Sequence, residues 1–465
     1  MKMTKKKNHI EQRVALVLFV LFTVFTFKAE AQYDMMIYSL KTVPQTTLTN
    51  PALMPDYKYH VGFPFLSSQY TGFGTSGVRY SDIFYTRADD SLVVDIPGIV
   101  SKLKEKNNFN CREVNQILNI GMKWKDWYFS GSVSEIIDIN MMYSKDVVQL
   151  VGEGNGSRIG EAFDLGSTAL KAQHYREYAL GAAYDFDDKW NFGLRAKFLF
   201  GKAAIDTKDM SGKLTTSEDY YYITTESNIT INTSLPQFKK DTTEEVTLSE
   251  YLFTGWNFGM GFDAGATYKM DDQWTFSASV LDLGWITYNR WLKTYSNENV
   301  VWTYKGIDAM QFDGLDDQQS EDRLNAIKDS LIDMFQLEES EKSFNVMLTA
   351  KIFLGANYKL SEKEDLGVLV RTEIFNNVWR PSLTLSYFRK LNKNFSVSGS
   401  YTMANRSYAN FGLGIVVNAA PVQIYIATDN VIGLIVPDQV RYANLHFGIN
   451  FIFPEDGGSK TMIDL

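Results

Sequence analysis

The sequence of 465 residues predicts an all-β protein, a transmembrane antiparallel β-barrel of about 14 strands within a range of roughly 12 to 16. Three observations predict this fold. The chain begins with an export signal, apolar and polar residues alternate along many later segments, and very short connections alternate with longer ones. Short helical insertions complete the architecture that these patterns predict.

The N-terminus has the three parts of a secretory signal peptide. Lysines and Arg13 precede an apolar run of 14 residues from Val14 to Phe27, and Ala29-Glu30-Ala31 supplies a small-residue cleavage site. A helix needs about 20 apolar residues to span a bilayer, so we expect cleavage before Gln32 rather than a retained anchor. Residues 1–31 are therefore the predicted signal peptide.

Charge and composition exclude several classes of protein. Removal of the signal peptide takes away six of the 46 basic and two of the 55 acidic residues, which leaves 40 against 53 and a formal charge of −13. Such an acidic chain is not expected to bind nucleic acid. The chain has one cysteine, Cys111, so it cannot form an internal disulfide. No later apolar run approaches the length of a membrane helix, which leaves strands to cross the membrane.

The clearest pair of strands lies between residues 178 and 201. Apolar and small or polar residues alternate from Tyr178 to Phe186 and, after Asp187-Asp188-Lys189, again from Trp190 to Gly201. A period of two indicates strands, and the short polar turn joins them into a hairpin. The same design recurs at residues 256–280, 344–374, 383–401 and 445–453.

Connection lengths favour a membrane barrel over a soluble sandwich. Short turns at 187–189, 271–273, 361–365, 392–394 and 418–421 alternate with longer connections such as 286–343 and 428–442. Outer-membrane barrels have short periplasmic turns and longer external loops. Aromatic residues also gather at the ends with short turns, as a girdle at the membrane interface requires.

The predicted organisation has four parts: the signal peptide at 1–31, a segment at 32–56 to which a family resemblance described below gives the role of a small plug or hatch, the barrel at 57–453 and a C-terminal tail at 454–465. Helical insertions are predicted near 99–118 and near 320–338, the second with Ser320 as its N-cap. The run from Tyr221 to Ile231 disturbs the strand count, because it would make two successive strands point the same way. We interpret it as part of an external hairpin.

Several charged residues lie on the polar faces of the predicted strands, which would point into the lumen if the apolar faces meet lipid. These residues are Arg195, Lys197, Asp263, Lys351, Arg371 and Glu373. They would form a gate or filter, or else be solvated or mutually paired charges. Asp282, followed by Gly284 at a predicted strand end, is either a lumen carboxylate or a side chain that satisfies backbone donors in a turn.

Signals of catalysis are close to absent. After signal cleavage three histidines remain, His60, His174 and His446, without a paired zinc motif. The chain has no Gly-x-Ser-x-Gly sequence. We therefore predict that the protein is not an enzyme, and we assign no catalytic, cofactor-binding or metal-binding residue.

Short motifs resemble two groups of barrels. Asn50-Pro51-Ala52 resembles the N-terminal motif of FadL-like barrels, although Asn-Pro also favours a plain turn. Residues 280–285, 422–430 and 447–451 resemble barrels of gliding and type IX-secreting bacteria, which include PorV-like and PorP/SprF-like proteins.

These resemblances imply a protein of the cell outer membrane that contacts outer-membrane lipid. The FadL resemblance implies that the first residues fold into the lumen as a hatch and that small or hydrophobic molecules pass through the barrel. The PorV and PorP/SprF resemblance implies instead an accessory or scaffold barrel, whose partners would be other outer-membrane, secretion, gliding or cell-surface proteins.

Overall fold

The computed structural model describes residues 35–238, 247–252, 255–305, 335–375, 378–404 and 407–454. Within these ranges the strands are β1 Tyr57–Gly62, β2 Ser68–Thr75, β3 Phe84–Thr86, β4 Leu92–Val94, β5 Lys106–Trp124, β6 Trp127–Ser144, β7 Ala162–Asp164, β8 Ala169–Asp185, β9 Trp190–Thr216, β10 Ile223–Ser234, β11 Asn257–Lys269, β12 Trp274–Tyr288, β13 Leu292–Tyr304, β14 Glu338–Ser340, β15 Phe344–Met347, β16 Lys351–Ser361, β17 Glu364–Phe375, β18 Val378–Lys390, β19 Phe395–Ala404, β20 Ser407–Ala419, β21 Val422–Thr428 and β22 Tyr442–Pro454.

The α-helices of these ranges are all short: α1 Met36–Ser39, α2 Ile96–Lys102, α3 Lys145–Glu153, α4 Leu248–Leu252 and α5 Val431–Ile435. Single 3-10 turns lie at Pro44–Leu48, Tyr80–Asp82, Asn155–Arg158, Pro236–Phe238 and Pro437–Gln439. None of the helices in the described part of the chain has the length and apolar character of a membrane-spanning helix.

The strands close into one antiparallel barrel, while β3 and β4 form a separate hairpin. Some strands are successive parts of one position in the wall, as β1 and β2 show by both pairing with β5 on one side and β22 on the other. The other composite positions are β7 with β8, β10 with β11, β12 with β13, and β14 with β15 and β16. Counted this way the barrel has 14 strands, so the predicted fold class is confirmed.

The alternation of each strand decides which residues face outward. On β8 and β9, Leu180 and Leu194 are 63% and 67% exposed, whereas the neighbouring Ala179 and Arg195 are buried on the inner face. A continuous band of exposed apolar side chains needs lipid to cover it. A closed barrel also pairs its backbone groups within the sheet, as the bilayer core requires. The protein is therefore an integral barrel of the outer membrane.

Three of the short turns at one end of the barrel are held by the same kind of side-chain hydrogen bond. The side chain of Asp187 accepts hydrogen bonds from the backbone N–H groups of Lys189 and Trp190, at 2.8 and 2.7 Å. Asp271 and Asn392 do the same in the turns that precede β12 and β19. Asp and Asn are common in turns because a short side chain can satisfy its own turn's donors.

A ring of Trp–Tyr pairs marks the same end. In each pair a tryptophan that begins one strand lies beside a tyrosine that ends the neighbouring strand, with ring centroids 4.5 to 4.9 Å apart. The pairs are Trp127–Tyr184, Trp190–Tyr268 and Trp274–Tyr358. Such aromatic rings sit at the membrane–water interface and fix the depth of a barrel.

The predicted helical insertion near 99–118 is wrong over most of its length. Helix α2 ends at Lys102, and β5 runs from Lys106 and pairs with both β2 and β6. Asn110 and Gln116 are buried on the inner face of this strand. Pairing along both edges outweighs the weak local preference of a short segment for helix.

Other predictions fall wholly or partly outside the described residues. These are the signal peptide at 1–31, the first three residues of the plug at 32–56, the insertion near 320–338 except its last four residues, and the tail at 454–465 except Pro454. Glu338, at the end of that insertion, begins a strand rather than continuing a helix, and Pro454 is the last residue of β22.

The run from Tyr221 to Ile231 belongs to an extension of the wall beyond the barrel. Strand β9 has 27 residues, and its first half pairs with β11 while its second half pairs with β10. Strand β10 pairs in turn with β13. The pairing agrees with the interpretation of this run as part of an external hairpin, and it explains why two successive strands point the same way.

Candidate functional site

Residues 35–54, hereafter the N-terminal segment, lie inside the barrel. The N-terminus of its helix α1 contacts Asp429 of the wall. The Asp429 carboxylate accepts hydrogen bonds from the backbone N–H groups of Met35 and Met36 at 3.1 and 2.5 Å. The same carboxylate accepts hydrogen bonds from Tyr442 and Asn444 of β22. The wall thus supplies a negative group at the start of α1, where the unpaired N–H groups favour it.

Apolar side chains fasten the first part of this segment. Met36, Ile37, Leu40 and Val43 are buried against Val416, Tyr425 and Ala427 of the wall. On the other side of α1, Tyr38 donates to or accepts from Ser277 at 2.6 Å, and Asn357 donates to its hydroxyl at 2.9 Å. Burial raises the pKa of the Tyr38 phenol, although these two hydrogen bonds lower it. Tyr38 therefore remains a neutral phenol.

Hydrogen bonds hold the second part of the segment. Gln45 and Asn450 exchange side-chain amide hydrogen bonds at 2.8 and 2.9 Å, and Gln45 also donates to the carbonyl of Ser67 at 2.9 Å. The hydroxyl of Ser279 donates to the carbonyl of Thr49 at 2.6 Å. Asn450 belongs to β22 and Ser279 to β12, which lie on opposite sides of the closed barrel. The segment therefore crosses the lumen and does not line one wall.

The Asn50-Pro51-Ala52 motif is a turn that contacts the inner wall. Asn50 donates from its amide nitrogen to the carbonyls of Ala266 and Ala278, each at 3.2 Å, and its amide oxygen accepts from the N–H of Ala52. A Cβ atom at Gly265 would overlap the Asn50 side chain, and one at Gly193 would overlap the Pro51 carbonyl. Both glycines therefore provide the space that the motif occupies.

Beside the N-terminal segment lies a belt of buried ion pairs, which contains all six charged residues predicted to face the lumen. Arg195 and Lys197 contact Asp263 at 2.8 and 2.9 Å, and Arg371 contacts Glu373 at 2.5 Å. Lys351 pairs with Asp282. The charges are mutually paired, and they come from five neighbouring positions of the wall, β9, β11, β12, β16 and β17.

Asp282 is the centre of this belt and not the end of a strand. Strand β12 continues past Asp282 and Gly284 to Tyr288. Leu281 and Asp282 are both buried, and Asp282 has a φ of 60°. This local bulge turns a second consecutive side chain inward. Asp282 thereby reaches Lys197 and Lys351 as well as Arg112, which approaches from β5 at 3.9 Å.

A second prediction is wrong in β15 and β16, the strands that pair with β12. The apolar face predicted from Phe344 to Tyr358 is not continuous, because residues 348–350 lie between β15 and β16. Val346 and Leu348 are buried inside with Ile286 and Tyr288, whereas Leu354 is exposed on the outer face. An irregular stretch of this kind changes which residues face the lumen.

Sequence reasoning missed several residues of the belt. Arg112 pairs with Asp138 at 3.1 Å, and Glu177 lies 3.6 Å from Lys197. Arg112 was missed because its segment was predicted to be helical. Asp138 and Glu177 alternate with apolar residues on their strands, and that pattern could have identified them.

A small cavity lies between the belt and the N-terminal segment. Its volume is about 90 Å³, and Leu48 and Thr49 of the segment form part of its lining. An apolar cavity of roughly 150 Å³ accommodates benzene, so this one has room for a few water molecules or a small ion.

The three histidines lie in separate clusters. His446 is 2.6 Å from Ser68, His60 is 3.2 Å from Asn119, and His174 is 2.9 Å from Glu135. Among the described residues, no group of three or more His, Cys, Asp or Glu side chains could hold a metal ion. That the protein is not an enzyme remains a prediction.

Several solved structures resemble the chain at low sequence identity. They include the toluene transporter TbuX of Ralstonia pickettii (8% identity, TM-score 0.40, 88% of this chain and 94% of that one) and the toluene transporter TodX of Pseudomonas putida (9%, 0.35, 91% and 93%). A FadL homologue of Pseudomonas aeruginosa is 10% identical, with a TM-score of 0.40 over 88% of this chain and 94% of that one. The fold assignment depends on the strand pairing and not on these similarities.

No curated protein matches the chain. One family model matches residues 51–429, and this match does not connect the chain to the PorV-like or PorP/SprF-like proteins. The match extends from the Asn50-Pro51-Ala52 motif to Asp429, the residue at the start of α1. Because it covers well over half of the sequence, the protein belongs to the family of unknown function DUF5723.

Proposed function

We propose that the protein is a gated passage for small molecules across the outer membrane, with the N-terminal segment as its plug. The observation that carries this proposal is the docking of Asn50 on the carbonyls of Ala266 and Ala278. A segment that crosses the lumen and leaves a cavity of about 90 Å³ closes the barrel. A passage therefore requires that part of this segment move.

The two parts of the segment differ in what moving them would cost. Around α1 the contacts are apolar and deeply buried, as for Ile37 and Leu40. From Gln45 to Ala52 the contacts are mainly neutral hydrogen bonds, each of which contributes about 0.5 to 1.5 kcal/mol because water can replace the partner. We therefore assign the gate to residues 45–54, with α1 as the anchor and β1 as the second fixed end.

The same proposal includes capture of a hydrophobic molecule at the outer rim. A groove of about 500 Å³ lies outside the barrel wall, between β2, β5 and β6 and the external residues around Tyr80 and Pro437. Apolar side chains, among them Phe73, Phe109 and Met141, form most of its lining. Grooves of this character suit small apolar ligands.

Deletion of residues 35–52 tests the gate. The lipid-facing strands remain intact, so we expect the variant to assemble, which its altered migration in unheated gels would show. In planar bilayers we expect the wild type to be closed and the deletion variant to conduct. An assembled variant that is as closed as the wild type would contradict the proposal.

The external extension favours a second candidate, a scaffold barrel that binds other secretion, gliding or cell-surface proteins. Strands β9, β10 and β13 continue beyond the barrel and expose large apolar side chains, including Tyr220, Tyr221 and Val301. Exposed apolar groups on a surface extension suit a protein partner. A partner that co-purifies in equal amount from native membranes, and is lost when the extension is shortened, would favour this role over transport.

A further inference from the structure

We propose that the lumen cavity is a binding site for a small oxyanion, that is, a carboxylate, sulfate or phosphate group. As a statement about binding the inference stands alone. As a statement about the transported molecule it rests on the proposed passage, whose cargo would then be a small molecule that carries such an acidic group.

The first observation is the charge of the cavity lining. Five cationic side chains face the cavity but only two carboxylates do: Arg112, Arg195, Lys197, Lys351 and Arg371 against Glu177 and Asp282. Three further carboxylates, Asp138, Asp263 and Glu373, pair with these cations without lining the cavity. The belt as a whole is balanced, yet the layer next to the cavity is positive.

The second observation is a set of buried donors without acceptors. Arg371 is 2% exposed, and within the described residues its Nε and Nη1 atoms have no hydrogen-bond partner. In the described part of the chain its Nη2 atom donates to Glu373, and the guanidinium carbon lies 5.3 Å from the centre of the Phe353 ring. A guanidinium group has five N–H donors, and a buried donor that lacks a partner is costly.

Gln116 shows the same feature across the cavity. Its side chain is 1% exposed, and its Nε2 atom lacks a partner among the described residues. The amide oxygen of Gln116 already accepts from Asn119 at 3.0 Å, which fixes the nitrogen as the end without a partner. Arg371 and Gln116 both line the cavity.

All three atoms are donors, so a ligand that satisfies them must be rich in acceptors. A carboxylate, sulfate or phosphate presents two to four oxygens and carries the charge that the positive lining favours. The volume of about 90 Å³ suits a group of this size and is too small for a hydrocarbon ring. Water could satisfy the donors in part but would not neutralise the charge.

The test uses the full-length protein in detergent and measures the midpoint of thermal unfolding, because a ligand of the folded state raises it. Phosphate, sulfate and acetate are titrated separately against chloride at constant ionic strength. We expect at least one of the oxyanions to raise the midpoint of the wild type with saturation. In Arg371→Gln we expect the apparent Kd for that anion to be weaker by roughly tenfold or more, the loss typical of a charge-assisted hydrogen bond.

Two further variants and one control test whether the effect is specific to the cavity. Glu373→Gln removes the carboxylate that competes for Arg371 and should tighten anion binding, while Gln116→Leu should weaken it and replaces Arg371→Gln if that variant fails to assemble. Arg389→Gln is the matched control, because Arg389 is exposed and pairs with Glu364 away from the cavity.

The proposal is overturned if no oxyanion stabilises the wild type more than chloride does, or if Arg371→Gln and Gln116→Leu respond as the wild type does. Binding in detergent does not require passage. Saturable binding by a protein whose plug deletion fails to conduct would therefore overturn the transport function and leave the anion site, whereas conduction without binding would do the reverse.

Discussion

Gly265 sets the fit between the N-terminal segment and the wall. An alanine Cβ at this position would overlap the Asn50 side chain, which cannot retreat without losing its hydrogen bonds to Ala266 and Ala278. We expect Gly265→Ala to displace the segment and make the barrel leak ions in planar bilayers. The lipid-facing side of β11 is untouched, so the barrel should still assemble.

Gly261 provides the matched control for this substitution. It lies on the same face of the same strand, but its added Cβ would approach Leu348 no closer than 3.4 Å, an ordinary contact. Gly261→Ala should therefore stay closed. Equal leakage from both variants would mean that any extra methyl group on β11 opens the barrel, and that the contact with Asn50 is not the seal.

Single residues were predictable where alternation is regular and unpredictable where it is interrupted. Arg195, Lys197 and Asp263 lie on uninterrupted strands, and all three face the lumen as the pattern indicates. The alternation of β12 gives no sign that Leu281 and Asp282 both turn inward, because the bulge arises from the pairing with β11 and from a positive φ. The sequence also does not show that three cations from different strands converge on Asp282.

At the scale of elements, the two halves of β9 lie in different surroundings. Leu194 lies four residues beyond Trp190, about 10 Å into the apolar band. Val301 of β13 pairs with Glu226 of β10, which pairs with Lys213 near the far end of β9. Both side chains are 67% exposed, so only their position along the barrel axis separates them.

This pair gives a direct test of where the membrane ends. Leu194→Arg places a charge in lipid and should destabilise the barrel by about 2 to 4 kcal/mol, whereas Val301→Arg should change stability by less than about 0.5 kcal/mol. Denaturant unfolding in lipid vesicles measures both values. A similar cost for the two variants would place the extension inside the bilayer, contrary to the pairing described above.

Elements were predictable where their own sequence alternates strictly and ends in a recognisable turn, and not where pairing with other strands alone sets the conformation. The hairpins of 178–201 and 256–280 have strict alternation and Asp-containing turns, and the structure has both as strands with the expected turns. The segment 106–118 carries polar residues on one face and few strong strand formers. Its conformation is set by pairing with β2 and with the second half of β6, and so local patterns misjudged it.

At the scale of the whole molecule, the belt of ion pairs joins β12 to β9 and β5, with which β12 does not pair, as well as to its paired neighbour β16. Asp282 of β12 receives Lys197 of β9, Lys351 of β16 and Arg112 of β5. In Asp282→Asn these three cations lose their shared counter-charge while they remain buried. Removal of one partner from a buried pair costs about 3 to 5 kcal/mol, and we expect a loss of that order.

The loss should appear as a lower midpoint of denaturant unfolding with the barrel still able to assemble. Glu362→Gln is the control, since Glu362 pairs with Lys359 at an exposed turn and its side chain is 88% exposed. Surface pairs of this kind contribute little to stability. If both variants lose the same stability, the belt does not link the walls.

The length of strand β9 also determines how far the protein extends from the cell surface. Its 27 residues, at about 3.4 Å each and tilted by roughly 40°, span some 65 to 70 Å, while the apolar band of such a barrel is only about 25 Å tall. The excess carries the β9–β10 turn, with Tyr220 and Tyr221 exposed, well past the lipid head groups. An antibody or a bacteriophage tail fibre that approaches an intact cell would reach this turn before any other described part of the wall, which makes it the natural epitope of the protein.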